Sequence, residues 1–126
     1  EESVLALTAK GNIASIGRDP MNLQIVLNST NVPEISSYQS GKTVKGVSFG
    51  ALLDGDVKAY LCFTNKYDKV ISRTKINVNS NSKKYSVKKN DKGDVEGMYI
   101  EVTFAPENNY QQESFELSIF DFEILK

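Results

Sequence analysis

Residues 114–125 carry two alternations that do not share a parity. Phe115, Leu117 and Ile119 alternate with Glu116 and Ser118, and then Phe120, Phe122 and Ile124 alternate with Asp121 and Glu123. Successive side chains of a β-strand point to opposite faces, so a flat strand cannot bury both apolar sets. One extra residue, a β-bulge between Ile119 and Phe120, would let a single strand keep both inside. A strand this apolar belongs in the interior of a sandwich or barrel. That is the strongest constraint the chain places on its own fold.

The rest of the sequence repeats the two-residue period. Met21, Leu23, Ile25 and Leu27 alternate with Asn22, Gln24 and Val26, Val57, Ala59, Leu61 and Phe63 with Lys58, Tyr60 and Cys62, and Met98, Ile100, Val102 and Phe104 with Tyr99, Glu101 and Thr103. Such runs read as half-buried strands. Weaker strand signals lie at Val4–Ala9, at Ile13 and Ile16, around Val44, Val47 and Phe49, from Val70 to Val78, and at Tyr85–Val87. Gly46 predicts a bulge or a close backbone approach. Asp54-Gly55-Asp56 predicts a hairpin connection, because Asp-Gly supplies the positive φ of tight turns. Asn79–Lys84 reads as a polar loop. No convincing helix and no long linker appears. Eight or nine short strands predict an all-β, two-sheet antiparallel β-sandwich of the jelly-roll kind, with residues 1–126 as one domain.

Several function classes are excluded by what is missing. The 126 residues contain no histidine, so no Ser-His-Asp or Cys-His constellation and no imidazole metal site can form. Phosphate-loop, dinucleotide and EF-hand signatures are absent, and no carboxylate spacing marks a catalytic pair. The expectation is a noncatalytic protein. Cys62 is the single cysteine, which rules out an internal disulfide, and its apolar run predicts a core thiol. No run approaches a membrane span, and no signal-peptide pattern is present. Glu1-Glu2 reads as a processed or trimmed start, so the missing leader does not fix the compartment. Asn28-Ser29-Thr30 matches a glycosylation sequon.

Charge is unevenly distributed. Residues 58–92 carry a balance of +8 and residues 93–126 a balance of −7, although the whole chain is near neutral at −1. The lysines at 83, 84, 88, 89 and 92 have few aromatic residues among them, which argues against nucleic acid as a partner. An acidic half and a basic half would suit self-association of copies head to tail.

The series Ser40-Gly41-Lys42-Thr43-Val44, Val47-Ser48-Phe49, Val57–Leu61, Met98–Phe104 and Phe115–Leu125 resembles the galactose-binding-like jelly rolls, which include carbohydrate-binding modules. Ser118–Ile124 occupies the place of their closing strand. The resemblance implies a sandwich that binds a glycan or polysaccharide on a sheet face or at its loops. It also implies an extracellular or cell-surface location, and it admits a structural calcium held near the closing strand, with Asp121 as the matching position.

Sugar recognition needs an aromatic face against C–H groups and polar groups that satisfy hydroxyls. With no tryptophan in the chain, tyrosine must supply the face. Tyr60 and Tyr99 each lie opposite the apolar set of their strand. Lys58, Glu101, Asn22 and Gln24 occupy the same relative positions, and together the six form the expected ligand-binding set. Tyr38, Tyr67 and Tyr110 fall in expected loops and rank behind them. The alternative reading is a structural or adhesion subunit of a virion, pilus or surface layer, docking to protein partners.

Overall fold

The structure is a computed structural model that describes residues 6–12, 22–27, 45–87, 95–104 and 114–125. Those residues form eight strands: β1 (Ala6–Asn12), β2 (Asn22–Leu27), β3 (Gly46–Asp54), β4 (Val57–Thr64), β5 (Val70–Lys75), β6 (Ser80–Ser86), β7 (Gly97–Phe104) and β8 (Ser114–Leu125). No helix occurs among the described residues. The expected strand at Ile13 and Ile16, the sequon, Tyr38, Tyr110 and the lysines at 88, 89 and 92 lie outside them.

Two antiparallel sheets have the orders β1-β8-β3-β6 and β2-β7-β4-β5. The ladders β1:β8, β2:β7, β3:β6 and β4:β5 are those of one long two-stranded ribbon folded at β4–β5. Winding that ribbon adds the ladders β3:β8 and β4:β7, which complete the two sheets. This is the jelly roll that the alternation predicts.

The core lies between the sheets. Val47, Phe49, Ala51, Phe115, Leu117, Ile119 and Phe122 enter it from one side, and Ala59, Leu61, Phe63, Met98, Ile100 and Val102 from the other. Phe49 sits between two rings, with centroids 4.8 Å from Tyr85 and 5.9 Å from Phe122. Stacked aromatic pairs add to the ordinary stabilisation by burial. The Tyr85 hydroxyl accepts a 3.0 Å hydrogen bond from the backbone N–H of Asn77, so the stack also holds the connection between β5 and β6.

The closing strand bulges as its parity requires, but two residues later than the sequence suggests. Ser48 pairs with Glu123 and Gly50 with Phe120, which leaves Asp121 and Phe122 both opposite Phe49. Asp121 takes up the extra residue at φ 55°. Phe122 is thereby buried, while Phe120 stays on the outer face with its ring over Gly50. A Cβ at Gly50 would collide with that ring, so the glycine makes the outward position of Phe120 possible.

One turn expectation needs correction. Asp54-Gly55-Asp56 does not close a hairpin, because β3 and β4 belong to different sheets. Gly55 does adopt a positive φ of 135°, but the turn spans the sandwich. Sheets pack about 10 Å apart, a gap that three Cα steps from Asp54 to Val57 can bridge. The hairpin is instead β4–β5. In its loop the Asn65 side chain accepts hydrogen bonds from the N–H groups of Tyr67 and Lys69 at 2.9 and 3.0 Å, and Asp68 adopts φ 64°.

Asn79–Lys84 is not a loop. Ser80–Ser86 pairs with β3 as an edge strand, and the strand signal is hidden because only Tyr85 is buried along it. Lys83 stands at the inward-facing register beside Phe49 yet is exposed. An inward-pointing lysine on an edge discourages addition of a further strand. Gly46 is a close approach: a Cβ there would collide with the backbone of Tyr85 and Ser86.

The left-handed backbone at Asp121 generates a test. Asp121→Gly should keep or raise stability, whereas Asp121→Val should lower it by about 1–2 kcal/mol, because a β-branched side chain fits that conformation far worse than aspartate. Urea denaturation of both variants measures this; equal stabilities would show that the bulge backbone carries no such constraint.

Candidate functional site

The outward face of the β2-β7-β4-β5 sheet collects the expected residues. Ladder registers place Gln24, Glu101, Tyr60 and Lys75 in one row across the four strands. Val26, Tyr99, Cys62 and Arg73 form a second row. Asn22, Thr103 and Lys58 form a third across β2, β7 and β4. The alternation of β4 and β7 sends Ala59, Leu61, Ile100 and Val102 inward, so the intervening residues must face out. Tyr60, Tyr99, Lys58, Glu101 and Gln24 thus share one face, and register places Asn22 in line with them.

Arg73 was not among the expected residues, and it organises the centre. Its guanidinium carbon lies 3.8 Å from the Tyr60 ring centroid, and its Nε donates a 2.9 Å hydrogen bond to Oε1 of Glu101. A planar guanidinium suits both contacts, since it stacks on rings and pairs with carboxylates. The Glu101 bond raises the Arg73 pKa above its ordinary value. With the Arg73 side chain 48% exposed, the pair adds at most about 1 kcal/mol to stability. Its effect is to hold Arg73, Glu101 and Tyr60 in fixed relative positions. Arg73 looks like an ordinary charged residue in the sequence; only the register of the β4–β5 hairpin, which pairs it with Cys62, reveals its place.

Cys62 lies on the outward side of β4 yet is fully buried, with Tyr99 and Arg73 at the neighbouring positions of its row. Burial pushes the thiol pKa up, and a hydrogen bond with the Tyr99 side chain opposes part of that rise. The thiol is a packed element of the platform, as the sequence predicts for a core cysteine. Val26, at the other end of the row, is 55% exposed and leaves an apolar surface beside Tyr99. Tyr60 and Tyr99 are each half-buried.

Asp121, the position matched to a calcium ligand, is exposed at the bulge of the opposite sheet. No group of three or more His, Cys, Asp or Glu residues able to hold a metal occurs among the described residues. Tyr67 is 69% exposed at the β4–β5 loop, with the Lys66 ammonium 5.2 Å from its ring centroid. No described helix is long and apolar enough to cross a membrane. Compared with known proteins, the chain matches no family model, no curated protein and no solved structure.

The buried hydroxyls and thiol predict a pH dependence. Burial is the largest cause of the raised pKa values of Cys62, Tyr85 and Tyr99, whose ordinary values are 9.0, 10.0 and 10.0. Unfolding frees each group to ionise at its ordinary value, so the folded state retains protons that the unfolded state loses. Stability is then fully present below pH 9.0 and declines as the pH rises through 9.0, 10.0 and the raised folded values. Denaturation midpoints measured between pH 7 and 11 should fall across that window, and Cys62→Ala should remove the part that begins near 9.0. A midpoint independent of pH would overturn the assignment.

Proposed function

We propose that the protein is a noncatalytic carbohydrate-binding module that recognises a polysaccharide or cell-surface glycan on the outward face of the β2-β7-β4-β5 sheet. The observation that carries this reading is the Tyr60–Arg73–Glu101 arrangement beside Tyr99. Arg73 has guanidinium N–H donors beyond the one spent on Glu101. The Glu101 carboxylate and the Gln24 amide stand in the same row as acceptors and donors. Sugar hydroxyls both donate and accept, so a surface that fixes both kinds of group in place is suited to them. Val26 and Tyr99 supply the apolar area against which a sugar's C–H groups pack. A rigid sheet holds these groups with little ordering cost on binding.

This role belongs outside the cell or at its surface, where polysaccharides are encountered. The competing reading, a structural or adhesion subunit docking to protein partners, loses two of the four edge strands as sites for strand addition. β5 carries Arg73 and Lys75, and β6 carries exposed Lys83 and Lys84. Charges at such positions oppose edge-to-edge pairing.

Tyr99→Ala should weaken glycan binding roughly tenfold, the upper range for loss of an aromatic contact, and Tyr60→Ala should weaken it by releasing the Arg73 guanidinium stacked on its ring, each with the melting temperature little changed. A glycan array followed by titration with the best hit measures both effects. A wild-type protein that binds nothing on a broad array would refute the proposal.

A further inference from the structure

Building on the saccharide-binding reading, we infer that the ligand is an acidic polysaccharide, one bearing carboxylate or sulfate groups. The inference rests on the charges that the register brings to this face. Lys58, Arg73 and Lys75 stand on it with Glu101, whose carboxylate already accepts the Arg73 hydrogen bond. Among the described residues, Lys58 and Lys75 stand in no ion pair. Lys75 is the direct cross-strand partner of Tyr60, which puts the two Cβ atoms about 5 Å apart. Lys58 precedes Tyr60 by two residues on the same strand face, roughly 7 Å away.

Two ammonium groups with no ion pair among the described residues therefore flank the centre of the site on two sides. They share the outward face of the sheet with Gln24 and Tyr99, which serve the hydroxyl and C–H surfaces of a sugar. Both lysines are exposed, so their interaction with an anion is screened by salt over about 10 Å at 0.1 M. A neutral glycan would gain nothing from these ammonium groups that water does not offer them. A saccharide with acidic groups gains charge-assisted hydrogen bonds. Lys83 and Lys84 belong to the other sheet and do not line this face.

The test is titration of the purified chain with polygalacturonate, dextran sulfate and a neutral β-glucan at 0.05 and 0.5 M salt. The Lys58→Gln/Lys75→Gln double variant and a Lys83→Gln/Lys84→Gln control are titrated in parallel. The expected result is binding of at least one acidic polymer and not the neutral glucan, weakened by salt. Binding should fall about tenfold in the first variant, the lower end of what a hydrogen bond to a charged group contributes, and stay unchanged in the control. The two acidic polymers separate carboxylate from sulfate as the group recognised. Equal binding of the neutral glucan, with the first variant unaffected, overturns acid selection while the saccharide reading stands. Equal losses in both variants overturn the assigned face and point to net charge. No binding of any saccharide removes both readings.

Discussion

The left-handed backbone at Asp121 is the constraint on which the packing of β8 depends. Without it Phe122 and Ile124 would face outward once Phe115, Leu117 and Ile119 are committed to the core. With it, Phe122 reaches Phe49, and the Phe49 ring joins β8 to Tyr85 of β6 across β3. The cost is local. Asp121 accepts a backbone conformation that disfavours a Cβ, and Phe120 is left outside. Gly50 answers the second problem by giving that ring a surface to lie on. Aspartate at the bulge is consistent with the first, since its short polar side chain tolerates this conformation better than most.

The same ribbon that brings β8 into one sheet brings β7 into the other, and this sets the composition of the candidate site. β7 comes from the acidic end of the chain, while β4 and β5 come from the basic stretch. Winding places β7 between β2 and β4, so Glu101 arrives in the row of Tyr60, where Arg73 of β5 reaches across to it. The contact spans β5 to β7 over the intervening Tyr60. It forms because a stacked guanidinium can lie flat on the ring while its edge points at the carboxylate.

How much of this was legible follows from whether a signal is local. Strands with one buried face announce themselves by alternation, and β2, β4, β7 and β8 stand close to where the period places them. The edge strand β6 does not, because it buries little beyond Tyr85 and its serines and lysines meet solvent. The Asp-Gly turn was recognised as a turn, but a local motif cannot say whether it joins strands of one sheet or crosses between two. For the site, strand parity was sufficient to group Tyr60 with Lys58 and Tyr99 with Glu101. It could not supply Arg73 and Lys75, since their place depends on the register that the Asn65–Lys69 loop imposes on the β4–β5 hairpin.

Charge separation along the chain acquires a different meaning once the strands are placed. Read linearly, a basic block followed by an acidic block suggests two poles and the stacking of copies. The winding interleaves the blocks within each sheet instead, so part of the acidic charge is met inside the molecule. Sheet β2-β7-β4-β5 receives Glu101 from the acidic block and gives it to Arg73, which leaves Lys58 and Lys75 as its surplus. Sheet β1-β8-β3-β6 exposes Glu116, Asp121 and Glu123 on β8, with Leu52 also exposed on its outer face. Lys84 of β6 stands in the row of Glu123 on that sheet, so the two faces of one sandwich differ in chemistry: cations among tyrosines and amides on one, mixed charge beside Leu52 on the other. On the proposed reading, an anionic ligand would be drawn toward the face where tyrosines and amides stand among cations rather than toward the carboxylates of β8.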